Sequence, residues 1–124
     1  MKRLAFILLF VFTLLSCNSV GPDDNNVRPL PAIKIENIVI SGNKIIATIL
    51  VWTPTPCWDY YKTEKKQDES VYTAQIFGKD RGGVCVQVPS SFLREETIYF
   101  STKGQKTLRF WSFDSTYIDT TFTM

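Results

Sequence analysis

The chain contains no histidine. That one absence removes Ser-His-Asp and Cys-His catalysis together, and with them the commonest metal ligand. No Gly-rich turn leads from a strand into a helix, because Gly78 and Gly82-Gly83 bracket a hairpin-type loop, so a phosphate cradle is missing too. Paired carboxylates are poorly placed for glycoside hydrolysis. Glu95 and Glu96 are neighbours and point to opposite faces if they lie in a strand, while Asp59, Asp80, Asp114 and Asp119 are dispersed. No catalytic residue, metal site or cofactor is therefore expected, and the chain reads as a non-enzyme.

Also missing is any long hydrophobic run past residue 15. The one present, Leu4 to Leu15, is twelve residues interrupted only by Thr13, and it follows Lys2 and Arg3. It is too short for a bilayer core of about 30 Å, which takes roughly 20 residues, and it has the layout of an export signal. It ends in Leu14-Leu15-Ser16-Cys17, which resembles the lipobox of bacterial lipoproteins: an aliphatic residue, a small residue, then Cys. The resemblance covers residues 1–17. It implies that residues 1–16 are a cleaved signal peptide and that Cys17 is acylated, so that membrane lipid is one partner of the chain. Two or more acyl chains give stable attachment where one is marginal. The expected location is the bacterial cell envelope, lipid-anchored, with the outer membrane favoured and either periplasmic or surface exposure open. Asn18 is not the Asp that retains some members of that family at the inner membrane, and Asp23-Asp24 resembles the acidic export patch of others.

Net charge is missing as well once the leader is set aside. The formal +2 comes from Lys2 and Arg3, and the remainder holds twelve basic and twelve acidic residues. No basic cluster is long enough to track phosphates, so nucleic acid is not an expected partner. The 108 residues from Cys17 onward suit one domain. With Cys17 assigned to lipid, Cys57 and Cys85 remain for a disulfide in an oxidising compartment. A two-Cys metal site would lack further ligands.

Residues 17–31 are rich in Gly, Pro, Asn and Asp and read as a tether. Residues 32–124 read as one β-domain. Strands are expected over Ala32–Ile40, Lys44–Trp52, Cys57–Glu64, Ser70–Phe77, Val84–Val88, Glu96–Ser101, Lys106–Phe113 and Thr116–Thr123, with one helical turn at most over Ser90–Arg94. Seven or eight short strands with turn signals every eight to fourteen residues give an all-β, small immunoglobulin-like antiparallel β-sandwich, with a small barrel as the second choice. Strand order is not fixed by the pattern.

Aromatics are abundant for this size: three Trp, five Tyr and nine Phe. If Leu108 and Phe110 face the core, then Arg109, Trp111 and Phe113 line the other face of their strand. With Trp58 and Tyr60 they make up the expected binding residues, since Trp beside Arg suits sugar stacking or a protein hot spot. The competing expectation is that Trp111 packs beneath the last loop. Three segments, Thr53-Pro54-Thr55-Pro56-Cys57-Trp58, Asp80-Arg81-Gly82-Gly83 and Arg109-Phe110-Trp111, loosely resemble the loop order of chagasin-type cysteine protease inhibitors. That family has Asn and Gly flanking the first motif, a further Gly in the second, and a loop where this chain has a strand. Three roles follow: a non-catalytic envelope lipoprotein that binds an unidentified protein or glycan, a cysteine protease inhibitor, or a structural accessory subunit of an envelope complex.

Overall fold

A computed structural model describes residues 26–124. The apolar leader, Cys17 and the start of the tether lie outside the described residues. Eight strands follow one another: β1 (Val27–Leu30), β2 (Ala32–Ser41), β3 (Lys44–Thr53), β4 (Trp58–Gln67), β5 (Val71–Asp80), β6 (Ser90–Tyr99), β7 (Gln105–Trp111) and β8 (Tyr117–Thr123). They form two sheets, with no α-helix among the described residues, so the expected all-β sandwich is the fold.

One sheet has the order β2-β3-β6. β3 is its centre because Ile45, Ala47, Ile49 and Val51 alternate inward and are fully buried, a period-2 pattern that only a half-buried strand satisfies. The second sheet is built on β5, which pairs with β4 along one edge. Its other edge is shared: Val71–Ala74 pair in parallel with β7, and Ile76–Lys79 pair antiparallel with β1. β8 then pairs with β7. Leu108 and Phe110 face the core as expected, joined by Tyr72, Ala74 and Ile76 from β5 and by Ile98 and Phe100 from β6 and its exit.

Three local expectations change. Val27–Leu30, read as tether, is a strand in which Leu30 is 1% exposed. Linker-like composition is overridden by pairing with β5 and by apolar burial. A side chain at Gly78 would run into Leu30 there, so β1 approaches β5 where β5 carries no Cβ. Ser90–Arg94, read as a helical turn, is the first half of β6, laddered without interruption from Thr53↔Ser90 to Lys44↔Tyr99. Val84–Val88, read as a strand, is loop: Gly82 and Gly83 both take φ of +82°, which turns the chain out of β5, and Cys85 is held by its bond to Cys57.

The sandwich is closed differently on its two flanks. Where β4 faces β6, a bulge between Tyr60 and Lys62 turns Thr63 inward in place of Lys62. The Thr63 hydroxyl donates to Glu96 Oε2 at 2.6 Å, and Arg94 Nε donates to the same oxygen at 2.7 Å. Because that hydroxyl proton is used, the Tyr60 hydroxyl donates to Thr63, 2.8 Å away. The Arg94 guanidinium lies 3.7 Å from the Tyr60 ring centroid. Glu96 is thus a buried carboxylate with its partners supplied, and Glu95 beside it is exposed. Gln67 Nε2 adds a bond to the Tyr99 carbonyl at 2.7 Å. On the other flank, Ile35, Ile38, Ile118 and Phe122 from β2 and β8 pack against the core.

The Cys57–Cys85 disulfide joins the start of β4 to the loop after β5, with Cα atoms 6.2 Å apart. Closing 28 residues stabilises the fold by about 3 to 4 kcal/mol in the chain-entropy model. Reduction with dithiothreitol should lower the unfolding free energy by about that amount, seen as a lower urea midpoint, with a steeper slope because the uncrosslinked unfolded chain exposes more surface. An unchanged midpoint after verified reduction contradicts it.

A second consequence is alkaline sensitivity. Burial, and then the charge of Glu96 to which its hydroxyl donates at 3.4 Å, push Tyr72 above its ordinary value of 10.0. The folded chain holds this proton more tightly than the unfolded chain, so the contribution is complete below pH 10 and is lost as pH rises above it. Stability measured between pH 9 and 11 should fall less steeply in Tyr72→Phe than in the parent. Equal slopes would mean that Tyr72 does not titrate on unfolding.

Candidate binding site

β1 and β2 are consecutive and belong to different sheets. The break is Pro31, which has no N–H to extend a ladder, while its carbonyl accepts from Trp52 N–H at 2.9 Å. Leu30 on one side and Ala32 on the other are both buried. Trp52 follows the inward-facing Val51 on β3 and therefore points outward. At this crossing the β7–β8 turn folds over. Ser112 N–H donates to the Thr116 carbonyl, Thr116 donates to Phe113 O through both its amide and its hydroxyl, and Ser112 Oγ donates to Ala32 O at 2.8 Å. Asp114 takes φ 56°, a conformation that Asp tolerates better than most residues.

The turn brings Phe113 onto Trp52, edge to face, with centroids 5.7 Å apart. Trp111 ends β7 half-buried, and its Nε1 donates to Asp114 O at 2.6 Å. Trp52, Trp111 and Phe113, with Arg28, Pro29, Leu30, Pro31 and Asp114, line an open depression of about 340 Å³. It offers aromatic and prolyl surface with one cation and one carboxylate. That combination can stack on a sugar face or a prolyl or aromatic side chain while bonding polar groups beside it.

Of the five residues expected to bind, Trp111 and Phe113 line this depression. Trp58 sits deeper, packed on the core, with the Arg28 guanidinium 5.0 Å from its ring centroid. Arg109 is on the outward face of β7 as expected, where it pairs with Asp119 at 3.8 Å and lies over Tyr117, so it does not join the depression. Tyr60 faces inward and belongs to the Glu96 network. Trp111 bonds the last loop through its indole N–H, and part of its ring remains accessible.

Trp52, Arg28, Pro29 and Pro31 were not among the expected site residues. Trp52 was legible, being out of phase with the buried residues of β3. The other three looked like tether.

Of the three inhibitor-like segments, two meet: Arg81 donates to the Pro56 carbonyl at 2.9 Å and to the Cys57 carbonyl at 3.0 Å. The third is strand, with Phe110 fully buried. Among the described residues, no three His, Cys, Asp or Glu side chains group as metal ligands. No family model, no curated protein and no solved structure matches the chain.

Proposed function

We propose that this chain is a membrane-anchored lipoprotein of the bacterial envelope, whose non-catalytic sandwich binds a protein or glycan partner. The lipobox-like Leu14-Leu15-Ser16-Cys17 supports the anchor. The depression between the β1–β2 crossing and the β7–β8 turn is the observation that carries binding. The Trp111 ring is held by its bond to the Asp114 carbonyl and the Trp52 and Phe113 rings pack edge to face, which limits the side-chain freedom lost when a ligand seats. Arg28 and Asp114 supply a donor fork and an acceptor set at its rim.

Two outcomes are expected. Cys17→Ser should move the chain from the membrane fraction to the soluble fraction. Retention in the membrane overturns the anchor. For binding, the detergent-solubilised full chain is applied to a glycan array and photo-cross-linked in envelope extract. A ligand retained by the parent should be lost about tenfold or more in Trp111→Ala, as for an aromatic anchor of a site, and bound more weakly in Arg28→Ala, which removes a charge at the rim. Retention unchanged in both variants, or no retained ligand in either format, contradicts the reading.

A further inference from the structure

The loop of residues 81–89 is the most exposed apolar feature of the described residues. Val84 is fully exposed, Val86 64% and Val88 48%. The run from Gly82 to Leu93 carries no charged side chain. Soluble domains seldom present three aliphatic side chains on a loop without a partner. The loop is also held in place: Cys85 is bonded to Cys57, and at its start Arg81 is bonded to Pro56, Cys57 and Asp59. Presenting the valines therefore costs little further ordering.

The occupant follows from where the chain enters the fold. Asn26 lies with Asp80 and Arg81 around a single depression, so the tether joins the domain beside the base of this loop. Eight residues separate Cys17 from Asn26. Even fully extended, a stretch of that length reaches at most about 30 Å. Ten-residue strands put the opposite pole about 33 Å farther away. The pole bearing the valines is thus the one a short tether from Cys17 keeps at the bilayer. Its surroundings match an interface. Lys79 lies over the exposed ring of Tyr61 at 5.7 Å, and Arg81 and Arg28 stand nearby, which suits headgroup depth.

We propose that the Val84–Val88 loop docks into the phospholipid surface that carries the anchor, fixing the domain's orientation on the membrane. The proposal rests on the lipid-anchor reading. Val84→Trp in the full chain adds a reporter, compared with Val39→Trp, an exposed site toward the other pole. Both are reconstituted in phosphatidylethanolamine and phosphatidylglycerol vesicles with brominated acyl chains. Emission above that of the parent should be quenched about twofold or more at position 84 than at position 39, because the bromines sit within the hydrocarbon core. Val88→Trp repeats the measurement if Val84→Trp folds poorly.

Equal quenching at the two poles in a chain that sediments with the vesicles overturns the docking and leaves the loop free for a protein partner. Intact mass of the same variants reads the anchor separately: a chain with no lipid on Cys17 overturns the anchor reading, and the quenching at position 84 still decides the loop.

Discussion

Everything distinctive about this sandwich depends on one backbone constraint, the missing N–H of Pro31. A continuous edge strand would have run down a single sheet. Instead the chain leaves the β5 sheet at Leu30 and enters the β3 sheet at Ala32, with the Pro31 carbonyl accepting from Trp52. The crossing ties the two sheets together at one end. It supplies the prolyl wall of the depression and gives the β7–β8 turn a carbonyl to dock on, through Ser112 and Ala32. It also starts β1 beside Asp80, which sets the pole where the tether enters.

The two open flanks show how a domain of this size holds its shape. On the β2–β8 flank apolar side chains suffice. On the β4–β6 flank the same gap is spanned by hydroxyls, an arginine and a buried carboxylate. Such a network specifies position more than it stabilises. Its charges are costly to desolvate, and removing one partner of a buried ion pair typically costs about 3 to 5 kcal/mol. Thr63 and Gln67 of β4 bond Glu96 and the Tyr99 carbonyl of β6, so the two strands are tied at two points without a ladder between them.

Elements with strong inward alternation were readable from residue order: β3 with Ile45 to Val51, β5 with Tyr72 to Ile76, β7 with Leu108 and Phe110. The disulfide partners were readable too, once Cys17 was set aside. What escaped depends on distant partners. Ser90–Arg94 has little strand signal of its own and becomes strand because β3 offers a full ladder. Val84–Val88 has the alternation of a strand, but the turn at Gly82 and Gly83 and the bond from Cys85 to Cys57 hold it out of any ladder. β1 is four residues with a proline, stabilised by β5 and by Leu30. The site divided the same way: Trp111 and Phe113 could be named from sequence, while Arg28 and Pro31 could not, because only the crossing brings them there.

The proposed anchor, depression and valine loop form one arrangement. Arg28 lines the depression and lies over Trp58, next to the Cys57 that holds the loop, so a ligand would be met close to the bilayer. The central claim is that the chain begins, when mature, at an acylated Cys17. Intact-mass measurement of the chain extracted from membranes tests it most directly. The account predicts a species spanning residues 17–124 plus a diacylglyceryl group and up to one further acyl chain. A species that still carries residues 1–16, or one that starts at another residue without lipid, would contradict it.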